Sequence, residues 1–140
     1  MNKKEKIAYW LDIADYDLGT AKAMMDTNRY LYVIFMCQQA VEKIIKALYI
    51  QKYDDEPPRS HNVAFVFKKT EIEASQETIQ HFNLLSAYYI ESRYPEYKEK
   101  LSSIVDRDRA VALLKKTEEV YAWLKSLLKE KKLFLHTFII

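Results

Sequence analysis

The chain has 140 residues, 49% of them apolar, with one glycine, three prolines, one cysteine and a formal net charge of +2. That length suits one domain with a hydrophobic core of its own, and the scarcity of Gly and Pro favours long helices over a strand-and-turn fold. The composition excludes several chemistries: the lone Cys37 permits neither an intrachain disulfide nor a cysteine-based zinc site, the single Gly19 permits no glycine-rich phosphate loop, and so small a net charge does not make a dense nucleic-acid surface.

The first predicted helix covers 3–25. Ile7, Trp10, Leu11, Ala14, Leu18, Ala21 and Met25 fall in one arc at 3.6 residues per turn, with Asp12, Asp15 and Lys22 outside it. Gly19 weakens this helix locally and offers room for a neighbour to approach closely. Asp26, Thr27 and Asn28 supply stop and cap chemistry before a second helix over 29–52. The apolar arc of that helix takes in Val33, Ile34, Cys37, Ala40, Val41, Ile44, Ile45 and Leu48, about half the circumference, which predicts a central position between neighbours. Gln39, Glu42, Lys43 and Lys46 fall on the other half.

Three acids and two prolines, Asp54 to Pro58, mark a loop. His61 follows it, and Val63, Phe65, Val66 and Phe67 predict a short third helix ending near Thr70. Ser75 is the cap candidate for a fourth helix to about Ser92, with Ile79, Phe82, Ser86, Tyr89 and Ile90 on one face and His81 off it. Pro95 disfavours helical geometry at Tyr94, which places the break at the Arg93–Tyr94 step. A connector precedes a fifth helix capped by Asp106, whose stripe is Ala110, Leu113, Leu114, Thr117, Tyr121, Leu124 and Leu128. Residues 133–140 form an apolar tail richer in strand formers than in helix formers. The expected fold is all-α, an up-and-down bundle of four to five helices spanning 1–132, with the tail appended.

Arg93 is the first candidate for a ligand contact. It falls on the face shared by Phe82, Ser86 and Tyr89, where an arginine needs an anion, a wet cavity or an ion pair with an acid such as Glu42 or Glu91. Lys43 and Lys46 either form a cationic wall for phosphate, with Gln39 hydrogen-bonding a base or ribose, or belong to a solvated helix face. Tyr88, Tyr89 and Tyr97 are candidates to stack on a base. His61 either packs at a helix start or serves acid-base chemistry. No His or carboxylate spacing suggests a metal site, no Ser, His and Asp arrangement suggests a nucleophilic triad, and no cofactor is implied. The start of the chain has no apolar run behind its lysines, and no stretch reaches bilayer-spanning length, so a cytoplasmic protein without a membrane role is expected.

Four pieces together resemble the HEPN family of small helical domains: Trp10, Ala14, Asp15, Asp17 and Leu18; Gln38 to Lys43 with Lys46, Ala47 and Leu48; His61 after the proline loop; and Ser92-Arg93-Tyr94-Pro95. The resemblance implies a helical bundle, commonly a homodimer, often paired genetically with a minimal nucleotidyltransferase as toxin and antitoxin. Some relatives cleave RNA with an arginine followed four to six residues later by a histidine; others are noncatalytic nucleotide binders. Carried onto Arg93, that motif needs a histidine at 98–100, where this chain has Lys98, Glu99 and Lys100. The expectation is therefore a nucleotide-binding module, with catalysis left open but disfavoured, taking phosphate near Arg93, Tyr94, Gln39, Lys43 and Lys46. The alternatives are a metal-independent endoribonuclease using Arg93 with His61 or Tyr97, and a noncatalytic protein-interaction domain.

Overall fold

A computed structural model of the chain describes residues 1–93 and 105–129, with the backbone alone for 90–93. The expectations placed on Tyr94, Tyr97, the connector and the tail 133–140 lie outside the described residues, as does the side chain of Arg93. Among the described residues there are five helices and no strand: α1 (Lys3–Asp26), α2 (Tyr30–Tyr53), α3 (Val63–Lys69), α4 (Gln76–Arg93) and α5 (Arg107–Ser126).

Four of the five helices start on a side-chain cap. Asn2 accepts from the Glu5 N–H (2.8 Å), Asn62 from Phe65 (3.0 Å), Ser75 from Thr78 (3.1 Å) and Asp106 from Arg109 (2.9 Å). The exception is α2, which corrects the expected cap at 26–28. Asn28 adopts a left-handed φ of 61°, and its side chain accepts from the Tyr30 hydroxyl, so Arg29 stands at the N-cap position without a side-chain bond. Asn is among the few residues that reverse a chain this way cheaply. Asp54, at φ 51°, closes α2 by the same conformation, its N–H returning to the Ile50 carbonyl at 2.8 Å. Gly19 meets open space on the exposed side of α1, and among the described residues no neighbour approaches it.

Contacts along the helices define an up-and-down bundle with α3 inserted in the α2–α4 connection. Trp10 lies beside Lys46 and Asp17 beside Lys43, which sets α1 antiparallel to α2. His81 meets Thr117 and Glu77 meets Lys116, joining α4 to α5. Gln51 of α2 accepts from the Lys129 N–H at 2.8 Å and donates to the Leu127 carbonyl at 3.0 Å, tying down the end of α5. The predicted stripes of α2 and α5 are both buried, and α2 packs against the other four helices. Burial of that apolar surface is the main driving force holding the bundle. On α1, Ile7, Leu11, Ala14 and Ala21 are buried, while Trp10, Leu18 and Met25 are only partly covered.

Candidate active site

The centre of the site is a charge where the hydrophobic pattern anticipated solvent. Glu42 has 3% of its side chain exposed and Lys46 has 8%. Gln38, Glu42 and Lys46 recur every four residues, so they stack along one face of α2. Glu42 Oε1 accepts from Gln38 Nε2 at 3.0 Å and lies 2.9 Å from His61 Nδ1, while Oε2 accepts from Lys46 Nζ at 3.1 Å. A buried carboxylate is tolerable only with such partners, and this one has three. The Lys46 ammonium is also 5.4 Å from the Trp10 ring centroid, a cation–π contact from α1.

His61 reaches the cluster from the loop that follows α2. Gln38 Nε2 donates to the His61 backbone carbonyl at 2.8 Å as well as to Glu42, so one amide positions both the loop and the carboxylate. The ring itself is not buried: 52% of the side chain is exposed. Tyr89 packs on it with ring centroids 5.0 Å apart, and Phe35 stacks on Tyr89 at 5.9 Å. Asn62 and Ser86 hold α3 to α4 beside this stack, Ser86 Oγ donating to Asn62 Oδ1 at 3.1 Å. Tyr89 is on the fourth helix one turn before Arg93, so the backbone brings Arg93 to the same end of α4 as the histidine.

The expected site residues thus separate by role. His61 and Arg93 come to one end of α4. Lys43 pairs with Asp17 of α1, and Lys46 pairs with Glu42, so each lysine holds a carboxylate. Gln39 donates to Gln38 Oε1 at 2.6 Å, steadying the amide that grips His61. Tyr89 is buried between Phe35 and His61 and backs the imidazole. Pattern reading missed Gln38 and the buried Asp17; the four-residue spacing of Gln38, Glu42 and Lys46 is the signal that leads to Gln38, while Asp17 is buried through Lys43 on the neighbouring helix.

A second polar group lies inside the bundle. His81 is buried, with Nε2 2.9 Å from Thr117 Oγ1. Burial, helped by nearby Lys116, pushes its pKa down to about 4. Burial likewise pushes the Cys37 thiol up to about 12, consistent with a buried, unreactive residue. Tyr121 is driven upward by burial and by its hydrogen bond to Asp15, which also receives Lys125 at 3.1 Å. Among the described residues no group of His, Cys, Asp and Glu could hold a metal ion, and no helix is long and apolar enough to cross a membrane. A shallow cavity of about 430 Å³ is lined by Glu73, Ala74, Ser75, Thr78 and Trp123, none of them part of the Glu42 cluster.

Comparisons with known proteins agree with this architecture. The model of the HEPN domain matches residues 7–127. A Methanocaldococcus jannaschii protein named "Putative toxin MJ1304" is 31% identical over 131 residues, covering 84% of this chain and 85% of that one. The crystal structure of TT1696 from Thermus thermophilus superposes with a TM-score of 0.75 at 20% identity, over 91% of this chain and all of that one. The structure of ST0689, described as an archaeal HEPN homologue, gives a TM-score of 0.67 at 22% identity over 86% of this chain and 95% of its own. The four-helix scaffold with its inserted α3, and the family match along nearly all of it, make this chain a member of the HEPN domain family.

Proposed function

We propose that this HEPN chain is a nucleotide- or RNA-binding module, the toxin-side member of a two-gene pair with a minimal nucleotidyltransferase, working in the cytoplasm as a homodimer. The observation that carries the reading is the half-exposed His61 imidazole, anchored on buried Glu42 and backed by Tyr89, one helical turn from Arg93. Arg93 supplies the fork of donors suited to phosphate, with Tyr94 beside it in sequence. Lys43 and Lys46 are taken up by Asp17 and Glu42, so in this reading they shape the site while Arg93 carries its positive charge. The relative named as a toxin supports the two-gene assignment. The exposed Tyr9 and Tyr16 on α1 supply apolar area of the kind a partner chain covers. Calorimetric titration with ATP, GTP and short RNAs tests the binding reading. Binding tighter than millimolar that is lost in Arg93→Ala is the expected result; uniformly weaker binding, or no effect of that substitution, defeats it. Light scattering tests the dimer, and co-purification with a neighbouring nucleotidyltransferase tests the pairing; a monomer, or clean separation at micromolar concentration, removes the corresponding claim.

A metal-independent endoribonuclease is the second reading, favoured by the His61–Glu42 contact. A carboxylate on one imidazole nitrogen orients the ring and fixes its tautomer, the arrangement a general base uses against a hydroxyl. Cleavage of tRNA or mRNA by the purified chain, abolished in His61→Ala, supports it. Inactive wild type counts against it and leaves the binding module standing.

A further inference from the structure

We propose that the cavity between the α3–α4 turn and the last turn of α5 receives an arginine side chain from a partner protein, its guanidinium laid on the Trp123 ring and paired with Glu73. This cavity lies at the start of α4, the opposite end from His61, so the site is independent of the nucleotide reading.

The walls of the cavity are fixed from inside. Trp123 is partly buried against the core, its ring 6.3 Å from that of Phe67. The turn opposite is tied to the end of α2: the Lys52 ammonium donates to the Thr70 carbonyl at 2.7 Å, and the Tyr53 hydroxyl donates to Glu71 at 2.6 Å. The Thr70 hydroxyl donates to the Phe67 carbonyl at 2.6 Å and accepts from the Ile72 N–H at 3.2 Å, holding the chain where Glu71 takes a left-handed φ of 57°. A site held this way loses little conformational freedom when it is filled.

Only part of the polar lining is already satisfied. Ser75 Oγ caps α4 through the Thr78 N–H at 3.1 Å and donates to Thr78 Oγ1 at 3.0 Å, so these two hydroxyls serve each other. Glu73 has no hydrogen bond or ion pair among the described residues. Glu77 stands in the first turn of α4 and Glu119 one turn before Trp123, and Lys116 serves both, at 2.5 Å and 3.8 Å. Three carboxylates are thus met by one lysine, an excess of two negative charges; Glu71 and Lys52 cancel and leave that balance unchanged. The start of α4 lends partial positive charge and the last turn of α5 the opposite, so the carboxylates decide the sign.

A negative rim repels the phosphates of a nucleic acid and attracts a cation. Tryptophan is the best aromatic surface for a cation. A guanidinium stacks on it while offering parallel donors to a carboxylate, which an ammonium cannot match. The cleft is shallow, about 430 Å³ with five lining residues, whereas small-molecule sites enclose most of their ligand. It fits one long side chain whose backbone stays outside.

The test titrates the full-length protein with a capped pentapeptide of four alanines around a central arginine, and with lysine and citrulline versions. ¹H–¹⁵N spectra follow the indole N–H signals, assigned with Trp123→Phe, and Trp10, beside Lys46, serves as internal reference. The arginine peptide should move the Trp123 signal alone and saturate it with a Kd of about 1–5 mM, the strength of one charge-assisted pair and one cation–π contact. The lysine version should bind several-fold more weakly and the citrulline version not at all. Glu73→Gln, at an exposed position, should weaken the arginine peptide by about tenfold. Free arginine, which brings its own carboxylate to an acidic rim, should bind less well than the peptide; tighter binding overturns the assignment to a protein. No shift, equal binding of arginine and citrulline, indifference to Glu73→Gln, or preference for a phosphoserine peptide of the same frame also overturns the proposal. Binding seen only in Lys131→Ser with Lys132→Ser shows that the chain's own lysines fill the cavity, and a Trp123 signal that moves on dilution alone shows a second copy there. Either result excludes the partner.

Discussion

The two histidines described in this bundle face opposite demands. His61 hangs half in solvent on a buried acid, with a charged lysine behind that acid; His81 is enclosed, with a threonine hydroxyl as its partner and no carboxylate. One is held so that an edge remains open. The other is held neutral by exclusion of water, its pKa down to about 4. The lesson is that accessibility and an acidic partner, rather than the residue type, mark the histidine that can meet a ligand.

The largest expected effect breaks the first arrangement from beneath. Glu42→Ala leaves Lys46 buried without its counter-charge and should cost about 3–5 kcal/mol of stability, read by urea denaturation. Adding Lys46→Met should recover most of that loss, since the uncompensated charge is then gone. If the single and double variants are equally unstable, the ion pair is not what supports this face.

The enclosed histidine makes a pH prediction with a definite sign. Its folded pKa is below the ordinary 6.5, so the unfolded chain takes up the proton first as pH falls. The contribution is fully present above 6.5 and is lost on the way down to about 4, a difference of about 3 kcal/mol at 1.36 kcal/mol per pH unit. Denaturation midpoints over this range should show the slope in wild type and in His61→Ala, and a flatter profile in His81→Gln.

Thr117→Val sharpens the comparison more gently. It strips the His81 ring of its hydrogen-bond partner and should cost about 1–3 kcal/mol by thermal or urea unfolding. The smallest effect belongs to His61→Ala. The ring is half exposed and Glu42 keeps two other donors, so the loss should stay under about 1 kcal/mol even as ligand binding changes. A large destabilisation here would make His61 a structural residue.

Much of the scaffold is legible in the chain itself. The stripes of α2 and α5 follow the 3.6-residue period, and Ser75 and Asp106 announce their helices by capping chemistry. The site is less legible because its logic runs across helices. Periodicity assigns Glu42 and Lys46 to the outer half of α2, and only the arrival of Trp10 from α1 and His61 from the loop encloses them. Asp17 is buried for the same reason, through Lys43 on the neighbouring helix. His81 lies off the main apolar face of α4, yet Thr117 of α5 supplies a partner that no local pattern reveals.

The double grip of Gln38 has a consequence for how the chain can vary in length. Its amide ties the middle of α2 to the His61 carbonyl, a cross-connection spanning 23 positions, and Asn62 one residue later starts α3. Extra residues placed between Asp55 and Glu56, past the Asp54 cap, enlarge an exposed loop at a small entropic cost and disturb at most the surface pair of Glu56 with Lys6. One residue added between His61 and Asn62 shifts either the imidazole from Glu42 or the cap from α3. Insertions among related chains should therefore gather on the acidic side of the two prolines and stop short of the histidine, giving this loop one elastic half and one half of fixed gauge.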